Sequence, residues 1–87
     1  MSNSLKRAHL RMQGVDIEVT ALGESTDGVW QKTGKYRYTV SLWRHDGRLI
    51  KNIYSSEVYD SYDDAENTAI HIAKLELAKL DYHVVTI

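Results

Sequence analysis

The sequence predicts an α+β fold: an antiparallel three-stranded meander packed on one C-terminal helix, in the order β-β-β-α. Three observations predict it. Residues 61–80 (SYDDAENTAIHIAKLELAKL) repeat their apolar positions at helical spacing. Residues 35–44 alternate strictly, with Tyr36, Tyr38, Val40 and Leu42 on one side and Arg37, Thr39, Ser41 and Trp43 on the other. Between these two segments, His45-Asp46-Gly47 reads as the loop of a hairpin.

At 87 residues the chain is sized for one domain, which buries roughly 60–65% of the surface its unfolded form exposes. Residues 1–9 are polar and basic, with only Leu5 and Ala8 as apolar anchors. They are expected to form a flexible segment ahead of a single domain over residues 10–87. Strand 1 is placed at residues 15–22, extendable back to Leu10. Val15, Ile17, Val19 and Ala21 alternate along one face of it, and Asp16, Glu18 and Thr20 take the other. The alternation changes parity at Gly14, which signals a bulge or a break.

Residues 23–34 (GESTDGVWQKTG) carry three glycines and read as a long loop. Trp30 within it is expected to fold back onto the edge of the core, the alternative being an exposed binding tryptophan. A three-residue loop with Gly47 in the left-handed position pairs Arg44 with Arg48 and Trp43 with Leu49. That register sets Leu42 against Ile50 and Tyr38 against Tyr54. The alternative, a two-residue turn, sets Leu42 against Lys51, and the first is preferred because it buries no lysine. Strand 3 then covers residues 49–58, and the inner face is Ile17, Val19, Tyr38, Val40, Leu42, Ile50, Tyr54 and Val58.

Ser61 is placed to cap the final helix, and Asp63, Asp64 and Glu66 put negative charge at its positive end. One face collects Tyr62, Ala65, Ala69, Ile72, Ala73, Leu77 and Leu80. The small Ala65–Ala69–Ala73 row lets the helix lie close to the sheet. Glu76 falls near the apolar stripe and is expected at its edge. The tail Val84–Ile87 is β-prone and forms either a short fourth strand or a segment packed on the sheet.

Function is constrained mostly by exclusion. The chain has no cysteine, so neither a disulfide framework nor a thiolate metal site is available. It has no membrane-length apolar run and no apolar secretion signal, so the default expectation is a cytoplasmic protein without membrane contact. No phosphate-cradling glycine loop, nucleophile elbow or H-E-x-x-H occurs. His9, His45, His71 and His83 have no metal-ligand spacing. The expectation is a non-enzymatic binding module with neither cofactor nor metal.

The outer sheet face is the surface of interest. Its candidate binding residues are Arg37, Trp43, Arg44, Arg48, Leu49, Lys51 and Ile53. Arginines and lysines of this kind hold phosphates, and an exposed tryptophan stacks on bases or enters a groove. The same Trp43, Leu49 and Ile53 would also make an apolar patch for a protein partner or for self-association. In a third reading the patch is simply covered, by Leu10 and Met12 or by the Val84–Ile87 tail.

The run YRYTVSLWRHDGRLIKNIYSS followed by YDSYDDAENTAIHIAKL resembles the small sheet-plus-helix domains of phage-type integrase N-terminal regions and of plant AP2-type domains. The resemblance covers about half the chain and lies in a basic hairpin followed by a capped, alanine-rich helix. It implies DNA binding, with the sheet entering the major groove. Double-stranded-RNA-binding domains are similar in element order, but they carry a helix before the sheet and a basic start to the last helix. Here residues 60–66 are acidic.

Overall fold

The computed structural model describes the backbone of residues 2–86 and the side chains of residues 3–79. Its elements are α1 (Ser2–Met12), β1 (Val15–Thr26), β2 (Val29–Trp43), β3 (Leu49–Tyr54) and α2 (Tyr62–Thr86). The strands form one antiparallel sheet in the order β1-β2-β3. Both helices lie on the same face of it, and their side chains share one core cluster with the sheet: Leu10 from α1, Val15 and Ile17 from β1, Tyr38, Val40 and Leu42 from β2, and Ala69, Ile70 and Ala73 from α2.

The inner and outer sides of β1 and β2 are as the alternation predicts. Val15 faces Leu42, Ile17 faces Val40 and Val19 faces Tyr38. Ala65, Ala69 and Ala73 are fully buried, so the helix axis sits close to the bulkier side chains of β2. Ser61 Oγ accepts the Asp64 N–H at 3.1 Å, the expected N-cap. Burial, with Tyr59 beside it, pushes the Tyr38 phenol up.

The N-terminal segment differs from its expectation. Residues 2–12 form a helix, and Leu10 enters the core instead of extending β1. The helix stops where Gly14 adopts a left-handed conformation (φ 85°). A Cβ there would come within 2.5 Å of the Trp43 carbonyl oxygen. The parity shift in the sequence is therefore a helix-to-strand break. A polar network docks the helix: Arg7 donates to Glu66 at 2.9 Å, to the Tyr62 hydroxyl at 3.2 Å and to the Ile17 carbonyl. Asn3 donates to Glu66 at 2.9 Å. Glu66 and Ile70, both outside the face expected to be buried, lie on the side of α2 that α1 covers. Without that helix a 6%-exposed glutamate would make no sense.

Residues 23–34 also depart from the loop expectation. β1 and β2 continue past the core as a two-stranded arm, pairing Gly23 with Lys32, Ser25 with Trp30 and Thr26 with Val29. Asp27 (φ 54°) and Gly28 (φ 79°) make the two-residue turn. Trp30 does not reach the core. Its indole lies across the arm on Gly23, where a Cβ would come within 1.9 Å of the ring, an arrangement in which an aromatic covers a strand glycine.

Strand 3 ends at Tyr54 rather than Val58, and Tyr59 then bridges back to Tyr36. At the other end α2 runs to Thr86, so residues 84–86 extend a helix where a short strand or packed tail was expected. Ile87 and the side chains of residues 80–87, Leu80 included, lie outside the described residues.

Candidate nucleic-acid interface

The outer sheet face is built by alternation on three strands. β1 contributes Asp16, Glu18 and Thr20, which pair with Ser41, Thr39 and Arg37 of β2. Trp43 completes the β2 row. From β3 come Leu49, Asn52 and Tyr54, paired with Trp43, Ser41 and Thr39. Since both helices occupy the inner face, no described residue covers this surface. Leu10, one of the expected covers, is in the core on the opposite side, and Met12 is 85% exposed.

The turn between β2 and β3 has the expected form. The Arg44 N–H donates to the Arg48 carbonyl at 2.8 Å, and Gly47 is left-handed (φ 87°). Trp43 pairs with Leu49, as predicted. Immediately beyond, a bulge at Ile50 inserts one residue, so that Leu42 pairs with Lys51, Val40 with Ile53 and Thr39 with Tyr54. The regular register would have put Asn52 on the inner face opposite Val40. The bulge instead puts Ile53 there, packed on the core cluster, and frees Asn52 to accept from the Ser41 hydroxyl at 2.7 Å on the outer face. Burying isoleucine instead of an unpaired amide is the gain.

Two candidate residues are thereby moved off the interface. Ile53 is part of the core margin. Lys51 projects on the helix side, but at the sheet edge, and it donates to Glu76 Oε1 at 3.0 Å. The lysine stays half-exposed, so the objection to facing it inward fails: its ammonium is never desolvated. Lys79 donates to the other Glu76 oxygen at 2.9 Å. These bonds, from Lys79 first and Lys51 second, hold the Glu76 carboxyl below its ordinary range. Ile50, Tyr54 and Val58, expected inside, are exposed.

The remaining candidates stay accessible. Trp43 is 43% exposed, with Leu49 beside it. Arg44 and Arg48 flank the turn at one end of the face, and Arg37 lies at the other. Arg48 has a long, solvent-exposed approach to Asp46 at 3.6 Å. Neither Arg37 nor Arg44 pairs with a carboxylate among the described residues. Sequence reasoning missed two members of the face: Tyr54, 68% exposed, and Asn52. The available signal was the conflict itself, an asparagine opposite Val40 in a regular register.

A groove of about 220 Å³ runs beside Tyr54 and is lined in part by Thr20, Arg37, Thr39 and Ser55. Among the described residues no group of three or more acidic or histidine side chains is arranged to hold a metal ion. No described helix is long and apolar enough to cross a membrane. The chain matches no known protein-family profile, no curated protein and no solved structure.

Proposed function

We propose that this chain is a non-enzymatic nucleic-acid-binding module that works through its outer sheet face. One observation carries the reading. A sheet face that no described residue covers presents two exposed aromatic rings, Trp43 and Tyr54, around the hydrogen-bonding side chains of Thr39, Ser41 and Asn52, with Arg37, Arg44 and Arg48 at its ends. Those side chains supply phosphate attraction, base-edge hydrogen bonds and flat surfaces for stacking. Lys51 and Ile53 have no part in it.

The rival reading, a protein or homodimer interface, needs an apolar patch. Its three anchors are reduced to Trp43 and Leu49 once Ile53 packs inward. The order α-β-β-β-α is that of double-stranded-RNA-binding domains, but Asp63 and Asp64 occupy the first turn of α2 and Asp60 lies just before it. That surface repels phosphate and is left out of the proposal.

The test is a titration of the tryptophan fluorescence with DNA and RNA oligonucleotides at low salt, repeated as salt is raised. Binding that weakens steeply with salt is the expected result. No change with any oligonucleotide would remove the reading. A salt-insensitive self-association by sedimentation would put the apolar interface in its place.

A further inference from the structure

Resting on that reading, we infer that the ligand is a single-stranded nucleic acid and not a duplex. Two independent features of the face lead there.

The first is the pair of rings. Tyr54 sits opposite Thr39, and Trp43 lies four residues further along β2. At ~3.3 Å per residue the two aromatics are about 13 Å apart along the sheet. Aromatic faces of this kind stack on bases that have left the helix, about two or three at a time on a sheet. A duplex keeps its bases stacked on one another and offers only their edges. The groove beside Tyr54, with Arg37 and Thr39 in its wall, gives one such base a place next to a cation.

The second feature is the asymmetry of charge across the sheet. Strands lie ~4.8 Å apart, so β1 and β3 are separated by about 10 Å. A duplex groove wide enough to admit them is about 12 Å across and has a phosphate row on each side. The row beside β1 would meet Asp16 and Glu18. Arg11 approaches Asp16 at 3.7 Å, but among the described residues Glu18 has only the Thr20 hydroxyl, at 3.5 Å. The cations Arg37, Arg44 and Arg48 all belong to β2 and its turn into β3. A single strand carries one line of phosphates and can follow those arginines without crossing the acids.

The experiment compares oligonucleotides of about twelve residues, as single-stranded DNA, as single-stranded RNA and as the annealed duplex, by anisotropy at one low salt concentration. Single strands should bind at least about tenfold tighter than the duplex, with log K falling against log salt at a slope of about −2 for three neutralised phosphates. Trp43→Ala and Tyr54→Ala should each weaken single-strand binding by about 5- to 100-fold, while Trp43→Phe, which keeps a ring, should recover most of it. The double variant Asp16→Asn/Glu18→Gln should raise duplex affinity several-fold and leave single-strand affinity nearly unchanged. A duplex that binds as tightly as either single strand, or ring substitutions without effect, would overturn this inference while leaving nucleic-acid binding in place. Failure of all three oligonucleotides would overturn both.

Discussion

Arg7 ties three elements together, α1 to α2 and to β1. It joins the buried Glu66 carboxylate, the Tyr62 hydroxyl and the outward-pointing Ile17 carbonyl of the edge strand β1. Removing it leaves a carboxylate in the interior with only Asn3 as a donor among the described residues. Arg7→Ala is therefore expected to cost about 2–4 kcal/mol in urea unfolding. Arg7→Ala combined with Glu66→Ala should cost clearly less than the sum of the two single changes, because the stranded charge is gone. Additive losses would show that the pair is not coupled. Glu76 sets a pH dependence. Its folded-state pKa is depressed by Lys79 and Lys51, so the stabilisation is complete above the ordinary carboxyl range and is lost as pH falls through the depressed value. Both lysines are largely solvated, which limits the effect to no more than about 1 kcal/mol. The stability gap between the native chain and Glu76→Gln should close as pH falls from above the ordinary carboxyl range through the depressed value. A constant gap over that range would refute the assignment.

At the scale of elements, the seat of α2 on the sheet depends on small side chains. Ala69 is fully buried within the core cluster, where interiors are close-packed. Ala69→Leu should push the helix off β2 and lower stability by about 1–3 kcal/mol, whereas the same change at exposed Ala78 should be close to neutral. Thermal unfolding of the two variants separates them, and equal midpoints would contradict the close seating. The β2–β3 hairpin shows how an element chooses between conflicting demands. Its turn obeys local chemistry, through Gly47, yet its strand obeys the core, through the bulge at Ile50. Both requirements are met only because an extra residue separates them.

Across the whole molecule, stability is unevenly distributed. The core end of the sheet carries both helices on its inner face, while among the described residues the arm of residues 23–34 has neither a third strand nor a helix against it. A two-stranded ribbon alone is marginal in water. Amide hydrogens of the arm should exchange by local opening, well before those at Ile17, Val40 and Leu42, which should wait for global unfolding. Replacing the arm with a tight turn should leave the cooperative transition in place. Loss of cooperative unfolding in that variant would mean that the arm is part of the core after all.

The sequence by itself determined the sheet order, the inward face of β1 and β2, the cap at Ser61 and the alanine row, because each is written as a short-range period or a local backbone preference. Tertiary structure decided the rest. Whether Arg7 and Leu10 lie on a helix, and why Glu66 and Ile70 are buried, depends on two segments almost sixty residues apart meeting each other. The identity of the outer face turned on one inserted residue at Ile50, which exchanged Lys51 and Ile53 for Asn52 and Tyr54. Period alone could not show that exchange, because a bulge lowers the energy only when the polar group it turns outward is weighed against the apolar one it turns inward.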